Sequence, residues 1–243
     1  MFELHEIHWL PYLVSWSHAL LLETITRLRI PSLERYRLGR ATTPDKVSRH
    51  AVLVTVLFQN LVAFLLSLLG TVDTTVLPLG ALLPRIVAFM VVYETYTYWY
   101  HYALHRIPSL YYRIHRHHHR VINVYPFAGQ YAGIIDTILG IWLPPLLAGT
   151  LTSMPTDWVA RLSALYAFKA NYDHLGYALP FPLDPFNLPL TVPGYNRPRY
   201  HSLHHAVETR NFNFSNGFSN VWDHLNGTFL AESSPPSEDK RVP

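Results

Sequence analysis

The chain contains no cysteine among its 243 residues. This absence excludes disulfides, thiolate-ligated haem, iron–sulfur clusters and cysteine-bound zinc. Charged residues are also scarce, at 14% of the sequence against about 25% in soluble domains. The basic residues are scattered among apolar segments, and a net charge of +3 indicates no nucleic-acid partner.

The missing charges leave long apolar segments. Residues 51–70 carry no charged residue, and a segment of this length crosses a hydrocarbon core of about 30 Å. The alternative is a buried helix of a soluble protein. Residues 82–100, 128–151 and 157–172 predict three further spans. We therefore predict an all-α integral membrane bundle of about four transmembrane helices.

Histidine, in contrast, is abundant, and nine of the 15 residues lie within 101–119 and 201–205. They form three clusters, which read His101-x-x-x-His105, His115-x-x-His118-His119 and His201-x-x-His204-His205. Residues three and four apart share one helix face, so each cluster can direct its imidazoles at one point. A single pair of this kind arises by chance, but three together predict a metal site.

The distribution of basic residues predicts one side of the membrane for all three clusters. Seven Lys and Arg residues lie between 27 and 49, and four more follow the second span. The turns on the other side, near 71–85 and 150–161, carry only Arg85 and Arg161. Under the positive-inside rule, both chain ends and all three clusters face the cytosol as one histidine-rich helical cap.

The number of imidazoles indicates more than one metal ion. Eight histidines have ligand spacing, whereas structural zinc takes four ligands and catalytic zinc three. All-nitrogen ligation suits zinc, copper, iron or nickel. Two iron ions about 3.5–4 Å apart, each with several imidazoles and an open position, fit this number better.

The order HxxxH, HxxHH, HxxHH among apolar spans resembles the fatty acid hydroxylase/sterol desaturase superfamily of membrane di-iron oxygenases. The likeness covers about residues 50–230 and includes Tyr98-Trp99-Tyr100-His101 and the segment NYDHLGY. It also includes the closing NFNFSNGFSNVWDHLNGTF. We accordingly interpret residues 50–230 as a di-iron oxygenase domain, preceded by an interfacial helix and basic segment at 1–49. Residues 231–243 are interpreted as a disordered tail.

The resemblance implies a set of nine metal ligands. They are His101, His105, His115, His118, His119, His174, His201, His204 and His205. His174 belongs to a histidine-x-glycine element of the sterol-acting branches; the alternative is a capping histidine at the end of a span. His117 lies about 100° off the face of its cluster, and His224 stands where relatives carry Arg or Lys, so neither is assigned as a ligand.

Four carboxylates are candidates for orienting the ligands, because a metal-binding imidazole needs an acceptor for its second N–H. They are Glu94, Asp136, Asp173 and Asp223. Each has a capping or interfacial role as its alternative, although Glu94 and Asp136 lie within predicted spans, where ionisable residues are usually functional. The chain departs from the superfamily at Tyr102, in place of Arg, and at Gly133, in place of a histidine, which indicates a divergent member.

The resemblance implies an oxidoreductase that uses O₂ and two electrons to hydroxylate or desaturate an unactivated C–H bond. The substrate would be a lipid from the bilayer, sterol-like and polycyclic or a long acyl chain. Aldehyde processing and ether-lipid cleavage are alternatives within the superfamily. A non-enzymatic membrane metal-binding protein or transporter is a further alternative, although transporters place ligands near the bilayer midplane.

The resemblance also implies an electron donor in trans, cytochrome b5 with its reductase, and residence in the endoplasmic reticulum. The sequence contains no haem-binding or dinucleotide-binding motif of its own. Five basic residues could dock an acidic carrier, and the positive-inside bias explains them equally well. They are Arg113, Arg116, Arg120, Arg197 and Arg199.

Overall fold

The computed structural model describes residues 5–38, 44–180, 183, 198–212 and 218–230. Within these ranges the chain is helical and forms no β-strand beyond one isolated bridge between Arg37 and Tyr177. The predicted all-α class is therefore confirmed. The predicted disordered tail and Arg197 lie outside the described residues.

Seven helices of five or more residues with α-helical character organise the described chain. In chain order they are α1 (Glu6–Leu28), α2 (Arg49–Ser67), α3 (Leu79–Arg106), α4 (Ile134–Leu151), α5 (Thr156–Asp173), α6 (Pro198–Ala206) and α7 (Val221–Leu225). Shorter helical turns connect them. They are Pro31–Glu34, Pro108–Leu110, the π-helical Tyr111–His115, and the 3₁₀ turns His118–Arg120 and Pro126–Gln130.

Three of the described helices, α2, α3 and α4, are long and apolar enough to cross a membrane. Their outward surfaces are apolar as well: Phe58, Leu61 and Leu65 on α2 are more than half exposed, as expected of a surface that lipid covers. The fourth predicted span is the helix α5, which is less apolar and carries four charged residues. The count of four spans stays a prediction.

Helix α4 contains a wide turn just before Pro144 and Pro145. Proline has no N–H to donate to the carbonyl four residues earlier, so these two residues interrupt the α-helical ladder. The preceding segment, Thr137–Trp142, adopts π-helical pitch and absorbs the interruption. Asp136 and Thr137 stand where this turn begins, and both are buried.

Helix α1 runs along the bundle, antiparallel to α2. Near its start, His8 lies 3.4 Å from the hydroxyl of Ser67 at the end of α2. Near its other end, Glu23 accepts a 2.7 Å bond from Arg49 at the start of α2. The described N-terminal end therefore lies opposite the histidines, which differs from the prediction that both chain ends share their side.

Candidate metal centre

All nine histidines implied as ligands are buried at one end of the bundle. His101 and His105 occupy the last two turns of α3. The chain then folds back through the π-helical turn that ends at His115. The next histidines lie on a 3₁₀ turn, and the third cluster lies on the short helix α6. Tight turns of different pitch thus bring clusters that are distant in sequence together.

The nine side chains divide into two groups that could each hold a metal ion. The first contains His101, His105, His115, His119 and His204. The second contains His118, His174, His201 and His205. Within each group, one ligand atom from every residue lies within 4.8 Å of the others. The division cuts across the sequence clusters, since both HxxHH clusters contribute to both groups.

In the five-histidine group, the Nε2 atoms face one another at short range. The Nε2 of His101 lies 3.0 Å from that of His115 and 3.0 Å from that of His105. The Nε2 of His119 lies 3.2 Å from His105 and 3.3 Å from His204. Around an ion with metal–nitrogen bonds of about 2.1 Å, ligand nitrogens lie about 3.0 Å apart at right angles and about 3.4 Å apart in a tetrahedron.

The four-histidine group has the same arrangement. The Nε2 atoms of His174 and His201 are 2.7 Å apart, and those of His201 and His205 are 2.9 Å apart. The ring of His118 joins them, with its centroid 4.9 Å from that of His205. Imidazole nitrogens therefore converge at two separate points inside the protein.

The opposite ring nitrogen, Nδ1, pairs with a backbone carbonyl in five of the nine rings. The pairs are His101 with Phe212 at 2.9 Å, His118 with Tyr131 at 2.9 Å, His174 with Ala170 at 2.8 Å, His204 with Arg210 at 2.7 Å, and His205 with Val121 at 3.0 Å. A carbonyl can only accept, so Nδ1 carries the proton in these rings and Nε2 presents its lone pair when the ring is neutral.

Burial favours the neutral form of the four of these rings that lie outside the membrane-spanning helices. Removal from water lowers the pKa of His118 to about 4 and that of His174 to about 3. The same cause places the pKa of His204 and His205 well below the usual range. Metal ions bind the neutral form of imidazole, so the site is prepared to accept a cation.

Asp136 is the predicted carboxylate that the structure places against a cluster histidine. Its Oδ2 lies 2.7 Å from Nδ1 of His115, and its Oδ1 accepts a 2.9 Å bond from the hydroxyl of Tyr100. The arrangement is that of an oriented metal ligand, since a carboxylate on Nδ1 fixes the ring and raises the basicity of Nε2.

We expect Asp136→Asn to lower the affinity for metal by about 10- to 100-fold, because the charge behind His115 is lost. The change is measured by competition between the purified protein and a chelator. Asp73→Asn, in an exposed turn at the other end of the bundle, is the matched control. Equal chelator sensitivity in the two variants would contradict the role of Asp136.

Glu94 and Asp223 both contact the C-terminal segment of the described chain. Glu94 accepts a 2.9 Å bond from the backbone N–H of Phe218 and a 2.7 Å bond from the hydroxyl of Ser219. Asp223 accepts a 2.9 Å bond from the backbone N–H of Phe212, whose carbonyl is the partner of His101. Both carboxylates therefore hold backbone in place, and Asp223 sets the position of an acceptor for a cluster ring.

The fourth predicted carboxylate, Asp173, forms an ion pair with Lys169 one turn earlier on α5. The side chain of Lys169 has no exposed surface, and an unpaired charge at such a position is costly. The contact with Asp173, the residue that precedes His174, offsets that cost.

Glu208 was not predicted and lies near the first group. Its Oε1 is 4.0 Å from Nδ1 of His119, and its Oε2 accepts a 2.7 Å bond from Tyr111. Glu208 lies beyond the end of α6 and meets a histidine from a distant part of the chain, so helical spacing does not identify it. His117 belongs to neither group and packs against Tyr131.

The comparisons with known proteins agree with this geometry. Residues 86–228 match the sequence model of the fatty acid hydroxylase family. The chain is 27% identical to sphinganine C4-monooxygenase 2 of Arabidopsis thaliana, over 96% of the chain and 88% of that protein. It is 28% identical to a very-long-chain aldehyde decarbonylase of Oryza sativa subsp. indica, over 82% of the chain and 78% of that protein.

A third relative is methylsterol monooxygenase of Aspergillus fumigatus, 32% identical over 67% of the chain and 51% of that protein. No solved structure was found to match the chain. The relatives named as monooxygenases and the match to a hydroxylase family confirm the predicted oxidoreductase. Because the matched residues make up more than half of the sequence and contain all nine histidines, the chain belongs to the fatty acid hydroxylase family, as its three histidine clusters predicted.

Proposed function

We propose that the protein is a di-iron oxygenase that hydroxylates an unactivated C–H bond of a membrane lipid. One contact carries this proposal. His101 and His115 both have Nδ1 committed to an acceptor, Phe212 and Asp136 respectively, and their Nε2 atoms lie 3.0 Å apart. When both rings are neutral, two lone pairs face each other in a buried site, and a bound cation relieves that repulsion.

The numbers of ligands favour two ions, and favour iron over zinc. Five converging imidazoles exceed the four ligands of a structural zinc site and the three of a catalytic one. Imidazole nitrogen is a suitable ligand for iron, and membership in a hydroxylase family fits a redox metal. We assign one iron to the five-histidine group and the second to the four-histidine group.

The bound irons would supply activation of O₂ with two electrons. The protein itself keeps four of the imidazoles neutral through burial, fixes the Nε2 lone pairs of five through backbone carbonyls, and shields the site from water. Asp136 holds the ring of His115, while Asp223 holds the carbonyl that orients His101. Such prior fixing of the ligands reduces the reorganisation that the reaction requires.

A lipid substrate is supported by the relatives and by the fold. One relative is named for sphinganine and another for methylsterol, and both names describe monooxygenases. Helix α3, which carries His101 and His105, is apolar and long enough to cross a membrane, so a substrate dissolved in the bilayer reaches the site laterally. Hydroxylation is the outcome we assign, with desaturation and aldehyde processing as the alternatives that product analysis separates.

Electrons would come from a separate carrier of the cytochrome b5 type at the cytosolic face of the endoplasmic reticulum. Arg113 and Arg116 support this assignment, because both are exposed, Arg113 just before the second histidine cluster and Arg116 within it. An acidic carrier would be attracted to such residues at low ionic strength.

The proposed function is tested by expressing the chain in a host and analysing both metal and lipids. We expect about two irons per chain and a lipid product, 16 mass units heavier than its precursor, that requires O₂ and reductant. One zinc per chain, or metal without any change in the lipids, would overturn the proposal and favour a binding protein or transporter. A host without the chain is the control.

A further inference from the structure

A cavity of about 490 Å³ lies among helices α1, α2, α4 and α5, within the range of small-molecule sites, roughly 300–1,000 Å³. One end lies near His8, Ser67 and Thr156, at the end of the bundle opposite the histidines. The other end is lined by Gly129 and Ala170, next to His174. The cavity thus extends through the bundle towards the candidate metal centre.

The contact between the cavity and the metal centre is close at Gly129. A β-carbon placed on Gly129 would lie 3.1 Å from Nδ1 of His174 and 2.9 Å from the carbonyl oxygen of Ala170. Because Gly129 has no side chain, the wall of the cavity contacts the His174 ring on its Nδ1 side. Thr137, also on the wall, follows Asp136, the partner of His115.

Charge is absent from the described lining of the cavity, which contains no Asp, Glu, Lys or Arg. Most of the lining is apolar, and its uncharged polar side chains include a group of five towards the histidine end, in which Gln59 bonds Thr137 and Gln130 bonds both Asn60 and Ser15. They are Ser15, Gln59, Asn60, Gln130 and Thr137. An ionised ligand group would have no described counter-charge here, and burial of an unpaired charge is strongly unfavourable.

Gln59 is the one member of this group whose orientation is fixed and whose bonding is incomplete within the described chain. Its Nε2 donates to the carbonyl of Ala132 at 2.7 Å and to Oγ1 of Thr137 at 2.8 Å. Thr137 donates its own proton to Gly133. Both partners are therefore acceptors, which fixes the amide nitrogen and leaves Oε1 without a partner among the described residues.

An orphaned acceptor is costly in a residue as buried as Gln59, which is 6% exposed. The hydroxyl of Tyr166, on the wall of the same cavity, also has no hydrogen-bond partner in the described part of the chain. Two residues that line one apolar cavity thus each carry an unsatisfied polar atom, which points to a ligand with a polar group of its own.

We propose that Gln59 Oε1 accepts a hydrogen bond from a neutral donor on the lipid substrate, a hydroxyl or an amide N–H, and so selects for it. This inference rests on the proposed function, whose substrate it narrows to an uncharged amphiphile. The apolar remainder of the cavity holds the hydrocarbon part. A carboxylate offers no proton to Gln59, and an ammonium group meets no counter-charge in the described lining.

The inference is tested by equilibrium binding of tritiated 1-octadecanol to the purified full chain in detergent, without O₂ or reductant. Unlabelled 1-octadecanol, 1-fluorooctadecane, octadecylamine and stearate serve as competitors. Fluorine is close to a hydroxyl in size and donates no proton. We expect 1-octadecanol to compete about tenfold better than 1-fluorooctadecane, the effect of one buried hydrogen bond, and better than both charged lipids.

Gln59→Met is expected to remove this preference for 1-octadecanol, while the protein still binds the hydrocarbon part of the lipid. Leu65→Ala, on the lipid-facing side of α2, should retain it, and size-exclusion profiles show whether each variant folds. Equal competition by 1-octadecanol and 1-fluorooctadecane in the unmodified protein overturns the inference whatever the variants do, as does a preference that survives in folded Gln59→Met. Because binding is measured without turnover, a failed binding preference does not contradict the oxygenase assignment. Equally, a failed oxygenase test does not contradict a measured binding preference.

Discussion

His204→Ala should reduce oxygenation by more than about 100-fold and lower the iron content from two ions to one. The expected loss exceeds the 10- to 100-fold that follows removal of a residue behind a metal ligand, because here the ligand itself is removed. His204 is fully buried, and its Nδ1 is fixed by the carbonyl of Arg210 at 2.7 Å. Its Nε2 faces that of His119, so its loss opens the five-histidine group directly.

The measurement compares iron per chain and lipid product between His204→Ala and His117→Ala. His117 lies inside the second cluster of the sequence but belongs to neither group of converging nitrogens. Its replacement should therefore leave both quantities close to those of the unmodified protein. Normal turnover by His204→Ala, or equal losses in the two variants, would show that the five-histidine group is not the reactive site.

The contrast between His117 and His204 illustrates what spacing alone predicts. Helical spacing selects residues that share a face, and all eight histidines chosen in this way are buried and convergent. Spacing does not predict how they divide. His118 and His119 are adjacent in the chain, yet their side chains enter different groups because a 3₁₀ turn directs them apart.

The partners of Nδ1 were the least predictable part of the site. Four carboxylates could be proposed because carboxylates are visible in a sequence, and among them Asp136 contacts a cluster ring. Five other rings pair with backbone carbonyls. Every residue has a carbonyl, so its use as an acceptor depends on tertiary structure and leaves no compositional signal.

The local sequence pattern also does not predict which helices α1 packs against. The segment carries Glu23, Arg27 and Arg29, which favour an interfacial position. In the structure Glu23 pairs with Arg27 and Arg49 near the histidine end, while the apolar part of the helix packs along α2 and α5. The ion pair between Glu23 and Arg49, on a helix that lies later in the sequence, thus compensates a charge that appears unfavourable when α1 is considered alone.

His174→Ala should remove the second iron and leave the first. His174 lies outside the three clusters, yet its Nε2 is 2.7 Å from that of His201, and its Nδ1 is held by Ala170. We expect one iron per chain, retained by the five-histidine group. Oxygenation should fall by more than about 100-fold, because removal of a residue behind a metal ligand already lowers activity by about 10- to 100-fold. Metal analysis and product analysis of the purified variant measure both effects.

A double variant decides whether the two groups are separate sites. His174→Ala and His204→Ala each open a different group, so their combination should contain no stoichiometric iron, whereas either alone retains one ion. His224→Ala is the matched control, because His224 is exposed and stacks on Phe229 away from both groups. If the double variant kept one iron per chain, the nine imidazoles would have to be reassigned, because two independent openings would have removed a single ion.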